Sequence, residues 1–281
     1  MIVTNNKMID FTAFSDNLVE KEDGIWYAKT QNEISYPEEG NSICLQLEEN
    51  SYWFQHRNNC IIDLVKHYSP NATFFDVGGG NGFVAKGLEN AGISTVLVEP
   101  GQSGARNAKA RGLSNIVCAT TETSGFEKNS IDAIGLFDVV EHIDNDEAFL
   151  KQNYYFLRKD GLIYITVPAH NFLWSNEDNF AGHFRRHSIS SMTNLLKKTG
   201  LKVEFSSYLF SILPIPIYAF RSIPSKLGFN KKQNDVEEYK KEHSKNASSF
   251  ILQKVWDWEF SKIKQQKPVG FGSSVLIIGR K

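Results

Sequence analysis

The sequence predicts an α/β protein built on a mostly parallel sheet with helices on both faces. Three observations carry this. From Thr73 to Tyr208, short β-prone apolar runs alternate with segments of helical periodicity. A glycine-rich turn, Gly78-Gly79-Gly80-Asn81-Gly82, joins the first run to the first helical segment. An acidic residue, Glu99, ends the second run nineteen positions after Gly80.

The 281 residues suffice for one large domain with additions. Residues 1–50 mix short β-prone runs, Gly24 to Ala28 and Ile43 to Leu47, with acidic turns, and are expected to form an irregular, partly β extension. Residues 51–281 are expected to hold the main domain. Its leading helix runs from Ser51 to Tyr68, where Trp53, Phe54, Ile61, Ile62, Leu64 and Val65 recur at mainly helical spacing, and Ser69-Pro70-Asn71 ends it.

The alternation then reads Thr73–Val77 strand, Phe83–Asn90 helix, Ser94–Val98 strand, Ser103–Ala110 helix and Ile116–Ala119 strand. It continues with Ile131–Phe137 strand, Asp146–Leu157 helix and Gly161–Val167 strand, which Pro168 stops. A further helix is expected to take Ser190 as its N-cap and Gly200 as its terminator, with Lys197 and Lys198 at the negative end of its dipole. The sixth strand is Leu201 to Tyr208, and strand character returns at Ser274 to Ile278. The last two strands are therefore expected to be neighbours, separated by a helical insertion at about 211–268. That insertion holds a charged stretch, Lys231 to Lys245, and an aromatic amphipathic run, Phe250 to Ile263.

Lys plus Arg (31) balances Asp plus Glu (32), so no nucleic-acid partner is called for. Cys44, Cys60 and Cys118 are scattered without zinc-ligand or disulfide spacing, which fits a reducing cytoplasm. No metal ligand set is assigned. The start Met1-Ile2-Val3-Thr4 is not that of an export signal. The nearly uncharged stretch Val203 to Phe220 has its densest part at Leu209 to Phe220, which is too short for the ~20 residues that span a bilayer. It is expected to pack into the core, contact a second copy in a homodimer, line an apolar pocket or touch a membrane surface.

Glycines at a strand-to-helix turn let backbone approach a ligand closely and adopt positive φ. Asp76, just before them, would accept from loop amides or face an ammonium, and Glu99 can take both hydroxyls of a ribose. The run Gly80-Asn81-Gly82-Phe83-Val84-Ala85 also fits the looser dinucleotide pattern ending in alanine. A pyrophosphate beside Asp76 would be repelled, whereas an ammonium or sulfonium would be attracted.

With these residues in view, the chain resembles a class I S-adenosylmethionine-dependent methyltransferase of the small-molecule and glycan-modifying group. The likeness covers roughly residues 51 to 210 and the last strand. It rests on Phe75 to Gly82, Val96-Leu97-Val98-Glu99-Pro100, Phe137-Asp138-Val139-Val140-Glu141-His142-Ile143 and Leu157-Arg158-Lys159-Asp160-Gly161-Leu162. The resemblance implies a Rossmann-like sheet, mostly parallel with an antiparallel last strand. It implies S-adenosylmethionine near Asp76, Gly78, Gly79 and Gly80, with Glu99 and Pro100 at the ribose. Thr120 and Thr121 are implied at the adenine, although the acidic residue usual there is absent. Phe137 and Asp138 are implied beneath the cofactor, and Trp53 and Arg57 over it.

On the acceptor side, His142 is the candidate base, because histidine titrates near neutrality and this one follows the fourth strand. Glu141 could orient it or join a metal site. The segment Gly182-His183-Phe184-Arg185-Arg186-His187-Ser188 resembles relatives acting on saccharides and polar metabolites. His183, Arg185 and Arg186 are expected to meet the acceptor, two guanidinium groups suiting a carboxylate or phosphate. Pro168, His170, Phe172 and Trp174 would wall that site. The expected activity is methylation, at oxygen, of a small-molecule or glycan-linked acceptor. The other reading is a non-catalytic S-adenosylmethionine-binding or interaction module.

Overall fold

The computed structural model describes residues 8–30, 45, 47–49, 51–228 and 250–281. Its strands are β1 (Leu18–Glu20), β2 (Trp26–Ala28), β3 (Thr73–Val77), β4 (Ser94–Val98), β5 (Ile116–Cys118), β6 (Ile131–Phe137), β7 (Leu157–Pro168), β8 (Lys202–Leu209) and β9 (Ser274–Arg280). They form one sheet in the order β1-β2-β5-β4-β3-β6-β7-β9-β8. The run β2 to β7 is parallel, while β9 lies antiparallel to both β7 and β8. The expected pairing of the last two strands is present. The Gly24 to Ala28 run contributes β2, which extends the sheet through β5, and β1 pairs antiparallel with β2 as its outer edge.

The helices are α1 (Tyr52–Tyr68), α2 (Phe83–Asn90), α3 (Gln102–Ala110), α4 (Asp146–Phe156), α5 (Asn176–Ala181), α6 (Ile189–Thr199), α7 (214–226, with a π turn at Tyr218–Ser222) and α8 (Phe250–Lys264). Side chains alternate across a strand, and the two faces take different helices. Phe75, Val77, Val96, Ile163, Ile165, Val275 and Ile277 pack with Phe149 and Leu150 of α4 and Met192, Leu195 and Leu196 of α6. Phe74, Ala133, Leu162, Tyr164, Leu276 and Ile278 pack with α1, α2 and α8. Ala105 and Ala108 bring α3 onto Leu97 and Ile116.

Several boundaries differ from the sequence reading. Ser188, not Ser190, caps α6: its side chain accepts from the Ser191 amide at 3.1 Å, and Gly200 ends the helix at φ +92°. Strand β7 begins at Leu157 because Leu157 pairs with Ile131, and the charged residues Arg158-Lys159-Asp160 bulge at the register shift before Leu162 pairs with Ala133. Leu45, Leu47 and Glu48 are helical rather than β, and Ile43 lies outside the described residues. The charged stretch Lys231 to Lys245 also lies outside them. The apolar stretch Val203 to Phe220 divides. Phe210 is fully buried, whereas Ile215 and Phe220 of α7 are exposed. Among the described residues no helix is long and apolar enough to cross a membrane.

Candidate active site

The carboxyl ends of β3, β4 and β6 converge on the glycine loop. Gly78, Gly80 and Gly82 have φ of +71°, +54° and +73°, the left-handed region where a Cβ is strained. A Cβ at Gly79 would also be built into Leu97 and the Asp76 carboxylate, and one at Gly78 into Val139. The loop therefore presses on its surroundings and only hydrogen fits.

Asp76 is fully buried. Its Oδ2 accepts from the Ala85 amide at 3.1 Å, while Oδ1 is buried with no hydrogen-bond partner. Burial pushes its carboxyl up to about 7, against the Arg57 charge and the Ala85 amide. Glu99 braces the loop from the other side: Gly80 N–H donates to Oε2 at 2.9 Å and Gly101 N–H to Oε1 at 2.7 Å. Burial also raises Glu99 to about 7. The residues fit S-adenosylmethionine on two counts: an orphaned oxygen at Asp76 suits an ammonium, and the glycine cradle admits close approach.

A charged network that sequence spacing does not reveal locks the loop from outside. Glu48 accepts from Asn81 at 3.2 Å and pairs with Arg111 at 2.6 Å, and Asn107 donates to Asn81 at 2.9 Å.

Over the loop, Ser51 caps α1 and sets its first turn. Trp53 stacks on Phe210, centroids 5.2 Å apart and planes 11° apart, and the Arg57 guanidinium lies 4.6 Å from the Trp53 ring centroid. Arg57 forms an ion pair with Asp138. Asp138, at φ +56°, is held by its own amide to the Thr166 carbonyl at 2.9 Å and by the Thr166 hydroxyl at 3.0 Å. Phe137 lies parallel to Phe74 at 6.2 Å, flooring this end of the sheet. Thr120 and Thr121 follow β5, where their hydroxyls are used locally, with Thr123 and Gln152 respectively. The Pro100 carbonyl receives the Cys118 thiol at 3.6 Å.

Beyond Asp138, the 3-10 turn Val140–His142 places His142 against His183, ring centroids 4.8 Å apart at 73°. His142 does not titrate near neutrality as expected. Burial, then the neighbouring His183, lower it to about 4, so the imidazole is neutral and weakly basic. Nor do Arg185 and Arg186 form a joint anion site. Arg186 grips both oxygens of Asp178, at 2.8 and 3.0 Å, while Arg185 pairs with Asp146 at 2.6 Å. Both guanidinium groups already have carboxylate partners within the fold. Asp178 was not foreseen, yet it organises the segment by also taking His183 Nδ1 at 2.8 Å. Burial alone would raise its carboxyl, but His183 and Arg186 hold it below the usual range. His170 stacks at 4.9 Å on Tyr208 and at 5.2 Å on Phe172, forming an aromatic wall after β7.

The family model described as "Methyltransferase domain" matches residues 53–205, more than half of the chain. The chain belongs to that family: it is a class I methyltransferase that uses S-adenosylmethionine. No curated protein sequence matches it. Among solved structures it is similar to a SAM-dependent methyltransferase from Thermotoga maritima, at 20% identity and TM-score 0.52, over 85% of this chain and 99% of the other. A SAM-dependent methyltransferase from Archaeoglobus fulgidus is 16% identical with TM-score 0.50, over 82% and 100%. The cyclase SpnF is 14% identical with TM-score 0.56, over 87% and 93%. At these identities the likeness is one of fold, and a fold shared with a cyclase does not choose the acceptor.

Proposed function

We propose that this methyltransferase modifies a hydroxyl oxygen of a small-molecule or glycan-linked acceptor. The acceptor would enter beside Asp138 and be met by His142 and His183. The observation that carries the reading is the pair of facing imidazoles, His142 five residues beyond the end of β6 and His183 opposite it, next to the Arg57–Asp138 pair that closes the cofactor end. S-adenosylmethionine, when bound, supplies a methyl group on a sulfonium, open to in-line displacement. Asp76 and Glu99 hold its ammonium and ribose, with Gly78, Gly79, Gly80 and Pro100 framing it, Thr120 and Thr121 beside the adenine, and Trp53, Arg57, Phe137 and Asp138 enclosing it. His142, neutral because it is buried, engages the acceptor oxygen; Arg185 and Arg186 order the His183 segment through Asp146 and Asp178.

The exposed apolar face of α7 supports an acceptor or surface with an apolar portion. Ile215 and Phe220, with Leu227 just past the helix, are open to solvent, while Ser222 donates to the Leu173 carbonyl at 2.9 Å and Lys226 to the Phe172 carbonyl at 3.0 Å. These bonds tie α7 to the aromatic wall of the acceptor side. The same face would serve for contact with a membrane surface or a second copy.

The test is an S-adenosylhomocysteine-release assay over acceptor panels matched in size, bearing hydroxyl, amine or carbon nucleophiles. Turnover confined to hydroxyl acceptors, and lost in His142→Ala with cofactor binding intact, is expected. Turnover only with amine or carbon acceptors would overturn the reading.

A further inference from the structure

Glu141 is fully buried, and neither of its carboxylate oxygens has a hydrogen-bond partner. The neighbouring cations are already matched, Arg57 with Asp138 and Arg186 with Asp178. Beyond the pull of its own backbone amide, an ionised Glu141 therefore has no contacting counter-charge, an arrangement that burial penalises. What the carboxylate lacks is a cation.

Two imidazoles stand where such a cation would be shared. One ligand atom from each of Glu141, His142 and His183 lies within 4.8 Å of the other two, and among the described residues no other group of three meets this condition. His183 Nδ1 is taken by Asp178 at 2.8 Å, which leaves Nε2 for a ligand. The backbone of Ala181 and Gly182 hydrogen-bonds His142. His183 is oriented as histidine ligands are, with a carboxylate fixing the ring from its other nitrogen. Arg186 in turn anchors Asp178 with two hydrogen bonds, so the support extends one shell further.

We propose that Glu141, His142 and His183 bind one divalent transition-metal ion, leaving coordination positions open to an acceptor oxygen. The proposal rests on the acceptor reading above and gives the two histidines a ligand's role within it. Two imidazoles and one carboxylate suit ions such as zinc, cobalt or iron better than the all-oxygen sites of magnesium or calcium. Bonds of about 2.0–2.2 Å put adjacent ligand atoms about 3–4 Å apart, so the three side chains need close by only about an ångström. A hydroxyl bound at an open position becomes more acidic and releases its proton to water. Its oxygen lone pair then forms the bond to the methyl carbon as the carbon–sulfur pair returns to sulfur.

The test is titration of chelator-treated protein with cobalt(II) alone, read by its visible absorption, with calorimetry of S-adenosylhomocysteine on the same samples. The wild type should bind one cobalt saturably and release it to zinc(II). Glu141→Gln and His183→Ala should each weaken binding at least about 100-fold, and Asp178→Asn about 10–100-fold, as for other residues that orient a ligand. All three should still bind S-adenosylhomocysteine, which shows them folded; if the buried Glu141→Gln does not, His183→Ala decides. Wild type without saturable cobalt binding, or variants that bind it as the wild type does, would overturn the proposal. Failure of the wild type to bind S-adenosylhomocysteine would instead strike at the methyltransferase reading.

Discussion

Arg57, on the first helix of the domain, forms an ion pair with Asp138, which follows β6. Eighty-one residues apart in sequence, the two tie the helix over the cofactor end of the sheet. Arg57 is buried and Asp138 largely so, and breaking a buried pair strands one charge. With Asp138 about a quarter exposed, Arg57→Ala should cost about 2–3 kcal/mol, below the ~3–5 of a fully buried pair. Urea unfolding measures it, and Arg57→Ala/Asp138→Ala should recover part of the loss. A double variant no better than the single one would mean that the pair does not act as a unit.

The loop offers a steric test. Gly79→Ala drives a Cβ into Leu97 and the Asp76 carboxylate. Affinity for S-adenosylhomocysteine should fall at least about tenfold, with about 1–3 kcal/mol of stability lost to overpacking. Gly92→Ala is the control: its positive φ (+88°) strains a side chain, but open space surrounds it, so it perturbs the fold without touching the loop. It should lose stability and keep affinity. Equal affinity losses in both would locate the effect in folding rather than in the loop.

Asp76 sets a pH dependence whose sign can be worked out. Its carboxyl is raised from 3.8 to about 7 in the fold, so the folded protein holds a proton that the unfolded chain has lost. That contribution to stability is complete below about pH 4 and is lost as pH rises through about 7. The ligand-free wild type should therefore lose thermal stability relative to Asp76→Asn between pH 5 and pH 8. Binding an ammonium favours the ionised carboxylate, so the thermal shift from S-adenosylmethionine should be larger at pH 8 than at pH 6. A shift that does not change with pH would remove Asp76 from the ammonium.

Glu259, fully buried on the last helix, accepts from His56 at 2.7 Å and from the amides of Phe210 and Ser211 at 2.7 and 2.8 Å. It holds Phe210 at φ +60° beneath Trp53. Glu259→Ala should cost about 2–4 kcal/mol by leaving buried donors unpaired. It should also change tryptophan fluorescence, because the Trp53–Phe210 stack loosens. Unchanged stability and emission would show that the last helix does not support the Trp53–Phe210 stack.

How much was legible follows from how local each signal is. The bounds of Thr73–Val77, Ser94–Val98 and Ile131–Phe137 were readable because strands buried on both faces are continuous apolar runs. The three-residue edge strand Leu18–Glu20 was not, since only its pairing with Trp26–Ala28 makes it a strand. Ser190 looked like a cap because serine precedes the apolar face, but Ser188 wins by reaching the Ser191 amide in a reciprocal box. The glycine loop, Asp76 and Glu99 announce themselves by spacing along one motif. The partners of His183 and Arg186 do not: Asp178 reaches them only because helix α5 folds back, and a pair of adjacent arginines read in isolation looks free to bind an anion. His142 was placed correctly beside the fourth strand, but its low pKa comes from burial and from His183, neither of which is a sequence property.

The central claim is that S-adenosylmethionine is held by this loop through Asp76 and Glu99. Calorimetric titration of S-adenosylhomocysteine into the wild type and Glu99→Gln tests it most directly. One site per chain in the wild type, weakened at least about tenfold in a folded Glu99→Gln because a ribose hydroxyl loses its charged acceptor, is the predicted result. No binding by the wild type, or equal binding by both, would contradict it.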